Sequence, residues 1–243
     1  MSEFTKSMRA ADGQPSGAEV RNAATVALLR DTADGLEVLL GRRATKLDFH
    51  GGAWVFPGGR IDADDWVDAG NDILVAARVA AAREAFEEAS VEVDAPSLVH
   101  LSNWTTPAIA PKRFATWFFV GRAGDDHASA RADGVESDAV RWLSPGVALG
   151  ERAAGEIELA PPQFVTLLAL SRFDTVDEAV AVIATEEPID YQPNFHFLDG
   201  GGAVVTYAGD VAYDDLALLE TAGPRHRLLM GREGWVYEHD GRV

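Results

Sequence analysis

Arg83-Glu84-Ala85-Phe86-Glu87-Glu88-Ala89-Ser90-Val91 carries carboxylates at i, i+3 and i+4, a spacing that sets Glu84, Glu87 and Glu88 on one face of a helix within reach of a shared ion. Like charges held that close repel, so the cluster is either solvated or held by a cation. Acids in a last helical turn also meet the negative end of the helix dipole, at a cost of a few tenths to about 1 kcal/mol each where exposed. A hard cation such as Mg²⁺ or Mn²⁺, which prefers carboxylate and water oxygens, relieves both penalties.

The helix that carries this cluster is expected to start at Asn71 or Asp72 as N-cap and to end near Ala89. At roughly 100° per residue, Val75, Val79, Ala82, Phe86 and Ala89 form a stripe opposite Glu84 and are the expected buried face. The Glu84 side carries Ile73, Ala77, Ala80, Ala81, Glu87 and Glu88. Small side chains running up to an acidic cluster are unlike an ordinary solvent face, where Lys and Glu mix.

Upstream, Gly51-Gly52-Ala53-Trp54-Val55-Phe56-Pro57-Gly58-Gly59 is a short apolar strand closed at both ends by paired glycines. Gly58-Gly59 reads as a turn whose bare backbone allows a ligand or metal to approach closely. Before it, Ala23–Leu29 and Leu36–Leu40 are strand-like runs joined by the turn signal Asp34-Gly35. Arg42 and Arg43 follow at the end of the second strand, either as a solvated strand end or as phosphate contacts. Residues 1–20 read as a flexible tail.

Composition narrows the chemistry. The chain has 243 residues, 47% of them hydrophobic, and no cysteine, so a sizeable core is affordable while disulfides and thiolate metal sites are excluded. The six histidines show no zinc-like spacing, and His196, His226 and His239 read as ordinary surface or core residues. A formal charge of -18, from 39 acidic and 21 basic residues, disfavours nucleic acid and anionic membranes as partners. No apolar run approaches the roughly 20 residues of a spanning helix and no basic-then-apolar leader is evident, so a cytoplasmic protein is expected.

In the second half, Trp104–Pro111 reads as a loop before Lys112-Arg113-Phe114 and a strand over Ala115–Val120. Two cations, Lys112 and Arg113, beside Trp104 and Phe114 suit a phosphate with a neighbouring base, and the two rings suit the core equally. Residues 122–138 read as an exposed loop, and Val140–Leu143 as a strand ending at Ser144-Pro145. Helices are expected over Gln163–Phe173, behind Pro161-Pro162, and over Thr175–Thr185, with Thr175 and Glu178 as a capping box. Ala203–Tyr207, Arg227–Met230 and Trp235–Glu238 read as short strands joined by glycine-rich turns, including Gly200-Gly201-Gly202. This last piece is expected to cover the core, line a cleft or form a homodimer contact.

Taken together, Phe56-Pro57-Gly58-Gly59 and Arg83–Val91 resemble the Nudix hydrolase signature, G-x5-E-x7-R-E-U-x-E-E-x-G-U with U a bulky apolar residue. With Gly59 as the opening glycine, Asp65 stands at the first glutamate, and Asp62, Asp64 and Asp68 are alternatives for that place. Residues 66–82, 17 of them, replace the usual seven, while Ser90 and Ala85 stand at the late glycine and an apolar position. The insertion is similar to that of the peroxisomal coenzyme A diphosphatase-like branch. Leu39-Leu40-Gly41-Arg42-Arg43-Ala44, ahead of Gly52, also resembles that branch's motif LLTKR[SA]-x3-R-x3-G-x3-FPGG, with Asp48 at its second Arg.

The resemblance implies an α/β fold, the Nudix α/β/α sandwich with a mixed sheet, over residues 21–187, plus C-terminal helices and short strands, with 188–243 as an extension. It implies Mg²⁺ or Mn²⁺ held by Glu84, Glu87 and Glu88 with a carbonyl of Gly58 or Gly59, and Arg83 orienting the glutamates. Glu136, or Asp138 in its stead, is the candidate further metal ligand, and Glu84 or Glu136 the candidate base. The implied substrate is a nucleoside diphosphate derivative. Coenzyme A is the first expectation, ADP-ribose, NADH or a dinucleotide the alternative, and a non-catalytic nucleotide sensor the competing class.

Overall fold

The computed structural model describes residues 16–44, 51–67, 69–124, 128–198, 201–231 and 234–240. Asp48, Asp68, Gly200 and residues 1–15 of the expected tail lie outside these. The chain divides into two compact units, Arg21–Asn103 with Ala115–Ile189, and Met1–Val20 with Trp104–Phe114 and Asp190–Val243.

The larger unit is built on a mixed sheet. Its strands, counted whole although Val20, Trp104, Thr105, Arg113 and Phe114 fall in the other unit, are β1 (Val20–Thr32), β2 (Gly35–Arg43), β3 (Trp54–Val55), β4 (Gly58–Arg60), β5 (Val99–Thr105), β6 (Arg113–Arg122) and β7 (Ser137–Leu143). Five of them run in the order β3-β2-β1-β6-β5, with β4 paired to β1 and β7 to β2. β1 and β2 form the expected antiparallel hairpin, Thr32 opposite Gly35, with Gly35 at φ +112°, a turn conformation that glycine adopts without a Cβ penalty. Ala23 through Leu29 are all buried, the unbroken pattern of a strand covered on both faces.

Four helices belong to this unit: α1 (Ile73–Ala89), α2 (Pro145–Ala154), α3 (Pro161–Leu170) and α4 (Val176–Ile183). Asp72 caps α1, accepting from Leu74 N at 2.9 Å. The helix ends at Ser90, which adopts a left-handed φ of 56° while its N–H donates to the carbonyls of Ala85 and Phe86. That conformation is the reason the family motif carries glycine there. Ser144 and Thr175 cap α2 and α4 as their positions suggest.

The buried face of α1 differs from the expected one, of which only Ala89 is fully buried. Ala76, Ala77, Ala80, Ala81, Ala85 and Ala89 are at most 1% exposed, whereas Phe86 is 55% exposed. All of these alanines but Ala76 pack into a cluster with Ala24, Val26, Leu28, Leu39, Val91, Leu98 and Phe119. Methyl-sized side chains let the helix backbone approach the sheet closely, which a stripe of Val and Phe would prevent. The acidic face is therefore drawn inward.

The smaller unit carries a four-stranded antiparallel sheet, β12-β11-β10-β9, behind the short β8 (Ile189–Tyr191). Its strands are β9 (Asn194–Phe197), β10 (Ala203–Thr206), β11 (His226–Met230) and β12 (Trp235–His239). Three of these match expected strands, and β9 is additional: Asn194-Phe195-His196-Phe197 alternates polar and apolar but over only four residues. Gly201 and Gly202 supply the left-handed turn before β10, at φ +89° and +92°. A buried ion pair, Arg227 Nη2 to Asp210 Oδ1 at 2.6 Å, is completed by Arg227 Nε and the His226 N–H donating to Oδ2 at 2.7 and 2.9 Å. Trp104 stacks on Tyr191 with ring centres 3.8 Å apart, in a group that also holds Tyr207, His226, Tyr237 and His239.

Candidate active site

The last two turns of α1 face β4. Gly58 and Gly59 form part of this strand, opposite Thr25 and Ala24 of β1, where a turn was expected. The correction has a steric cause. A Cβ added at Gly58 would lie 2.5 Å from the Ala24 carbonyl, and one at Gly59 would overlap the Glu84 carboxylate. Glycine is thus needed for closeness to strand and helix and not for an unusual φ.

Arg83 is the hub. Its Nε donates to Asp65 Oδ1 at 3.0 Å and its Nη2 to Asp65 Oδ2 at 2.9 Å. Nη1 donates to Glu84 Oε1 at 3.0 Å and to Glu87 Oε2 at 2.9 Å, and Nη2 also reaches the Arg60 carbonyl at 3.0 Å. The bidentate pair with Asp65 is the strongest influence holding the guanidinium charged. Asp65 is 3% exposed and its Oδ2 also accepts from the Asp62 N–H at 2.8 Å, which locks the 3-10 turn Ala63–Trp66. Among the described candidates for the first acid of the motif, Asp65 is the one that pairs with Arg83, whereas Asp62 and Asp64 are exposed. Sequence reasoning left that choice open and missed the Arg60 carbonyl, since a backbone acceptor leaves no trace in residue type.

Glu88 is 6% exposed and accepts one hydrogen bond from the Gly58 N–H, at 3.1 Å. Burial pushes its carboxyl up to about 7, with the Gly58 bond and Arg43 opposing and Glu84 and Glu136 reinforcing. Burial likewise raises Glu84, against Arg83 and with Glu87 and Glu136. Glu84, Glu88, Glu136 and Arg43 therefore share one electrostatic neighbourhood, while Glu87 is bound to Arg83 at its more exposed rim.

The other candidates are placed as follows. Arg42 is ion-paired with Asp138 at 2.6 Å. Lys112, Arg113, Phe114 and Trp104 belong to the smaller unit: Lys112 is exposed, Arg113 Nε donates to the Thr106 carbonyl at 3.3 Å, the Phe114 N–H donates to Thr106 Oγ1 at 3.0 Å, and Trp104 is 5% exposed.

Among the described residues, no three His, Cys, Asp or Glu side chains stand together as a group able to hold a metal ion, and Glu84 and Glu87 are turned onto Arg83. The donor set nevertheless suits a hard cation. Two carboxylates destabilised by burial and by each other's charge gain from a divalent ion, and Mg²⁺ needs only one or two carboxylates while keeping its waters.

A NUDIX domain model matches residues 20–163. The chain belongs to the Nudix family. It is 27% identical over 208 residues to "Putative nudix hydrolase 7" of Caenorhabditis elegans, covering 71% of this chain and 68% of that protein. A crystal structure of a NUDIX hydrolase from Alicyclobacillus acidocaldarius superposes with a TM-score of 0.61 at 26% identity, over 70% of this chain and all of the other. The expected α/β Nudix fold is therefore present. This Nudix protein is a hydrolase of phosphorus-containing anhydrides, in a family whose enzymes generally use divalent metal ions.

Proposed function

We propose that this Nudix hydrolase is a Mg²⁺- or Mn²⁺-dependent diphosphatase that cleaves a nucleoside diphosphate linked to another moiety, with coenzyme A or an acyl-coenzyme A as substrate. The observation that carries the reading is Arg83, which binds Asp65, Glu84 and Glu87 at once beside the buried Glu88. In this reading Glu84 and Glu88 hold the cation with help from Glu87 and a Gly58 or Gly59 carbonyl, and Arg43 contacts phosphate. When bound, the cation neutralises the diphosphate and lowers the pKa of the attacking water. Arg83 keeps the glutamates aligned, and Glu84 or Glu136 takes the proton from that water.

The coenzyme A preference rests on Leu39–Ala44, the ten additional residues before Arg83 and Phe56-Pro57-Gly58-Gly59. Asp48, at a position where that motif carries Arg, favours a second reading in which ADP-ribose, NADH or another dinucleotide is the substrate. Arg83 and the intact glutamate set speak against a sensor without turnover. A substrate panel with Mg²⁺ and Mn²⁺, read by mass spectrometry, tests the proposal. The expected products from coenzyme A are 3′,5′-ADP and phosphopantetheine. Turnover of ADP-ribose or NADH without any coenzyme A ester overturns the first reading in favour of the second, and absence of metal-dependent turnover across the panel overturns both.

A further inference from the structure

His226 and His239 are partners in register across β11 and β12. In the adjoining pair the Asp240 N–H donates to the Arg225 carbonyl at 2.8 Å, so His226 and His239 occupy the non-hydrogen-bonded position of the antiparallel ladder, where side chains stand closest. Their ring centres are 4.3 Å apart.

His226 Nδ1 lies 2.8 Å from the Ala208 carbonyl. A carbonyl only accepts, so Nδ1 carries the hydrogen and Nε2 presents its lone pair. Nε2 is buried and has no hydrogen-bond partner among the described residues, on a side chain 5% exposed overall. Around this ring stand Tyr207, Tyr191 and Tyr237, at 5.0, 5.4 and 6.0 Å between centres. The Tyr207 hydroxyl is likewise buried without a partner, and the Tyr191 and Tyr237 hydroxyls lie 3.2 Å from each other. An imidazole fixed through Nδ1–H on a backbone carbonyl, with Nε2 open, is the arrangement that orients a metal-ligating histidine.

We propose that His226 and His239 form a second cation site, for a divalent transition metal. Ring centres 4.3 Å apart are close enough for two imidazoles to share one ion, and imidazole nitrogen suits Cu²⁺, Ni²⁺ or Zn²⁺. Mg²⁺, a poor partner for imidazole, goes to the carboxylates instead. The proposal stands apart from the hydrolase reading because it uses none of the same residues.

The full chain, saturated with Mg²⁺, is titrated with Cu²⁺ and followed by electron paramagnetic resonance. One Cu²⁺ per chain with superhyperfine coupling to two imidazole nitrogens is expected. His226→Gln and His239→Gln each abolish the two-nitrogen pattern and weaken Cu²⁺ binding by at least about tenfold, while far-UV circular dichroism and metal-dependent turnover stay unchanged. His239 is only half-buried, so its variant remains informative if His226→Gln fails to fold. A Cu²⁺ signal without imidazole nitrogen, or one that persists in His239→Gln, overturns the proposal.

Discussion

Arg83 grips Asp65 with two parallel hydrogen bonds, Nε to Oδ1 at 3.0 Å and Nη2 to Oδ2 at 2.9 Å, across an interval of 18 positions in the chain. The same guanidinium then reaches Glu84 and Glu87. In the proposed mechanism Asp65 acts at a distance from the chemistry, by aiming the group that aims the glutamates. Asp65→Asn keeps the shape and removes the charge, and is expected to lower kcat by about tenfold or more with KM little changed. Asp64→Asn, on the exposed side of the same turn, leaves both constants at wild-type values. Steady-state kinetics on the pair decides it, and equal effects from both substitutions would rule Asp65 out.

Gly58 and Gly59 are adjacent but fail differently when a methyl is added. At Gly58 the new Cβ meets the Ala24 carbonyl at 2.5 Å and the Thr25 Cβ at 2.6 Å, neither of which can move without breaking the β1–β4 pairing. Gly58→Ala is expected to destabilise the fold by about 3 kcal/mol, seen in urea unfolding. At Gly59 the obstacle is the end of the Glu84 side chain, which swings away at less cost. Gly59→Ala is expected to keep most of its stability and lose most of its turnover.

Glu88 sets a pH dependence of stability in the metal-free protein. Its carboxyl, raised by burial to about 7 in the folded state, binds its proton more tightly there than in the unfolded chain. Folded protein thus holds more protons between the ordinary carboxylate range and about 7, so stability is greatest at the acidic end of that window. It falls as pH rises through the window, by roughly 3 kcal/mol in all. Chemical denaturation in EDTA across this range tests the slope. Glu88→Gln is expected to flatten it, and an unaltered slope in that variant would exclude Glu88 as its source.

Ser90 holds a left-handed φ of 56° at the end of α1, a conformation costing an L-residue about 1 kcal/mol. Ser90→Gly is expected to stabilise the protein by about 0.5–1 kcal/mol in thermal unfolding, with kcat unaffected because the glutamate face stays in place. A loss of stability on this substitution would contradict the account.

Much of the larger unit was legible in residue order. The Asp34-Gly35 hairpin, the cap at Asp72, the extent of α1 and the acid spacing depend on near neighbours, and local patterns report near neighbours faithfully. Two misreadings share a cause. Gly58-Gly59 resembles a turn because glycine is common in turns, and the stripe through Val75, Val79 and Phe86 resembles a core face because it is the more apolar one. In each case the deciding factor is how closely α1 and β4 approach, and that distance is set by partners far along the chain.

By itself, then, the sequence determined that a helix with three carboxylates on one face lies downstream of a glycine-paired strand, and with it the Nudix family and its hydrolytic chemistry. Tertiary structure alone decided that the alanine face is the buried one, that Asp65 among the neighbouring acids holds Arg83, that Glu88 is desolvated, and that His226 meets His239. The physical reason is the same each time: spacing along a chain orders side chains around one helix or strand, whereas desolvation and ion pairing depend on which distant backbone comes close enough to exclude water.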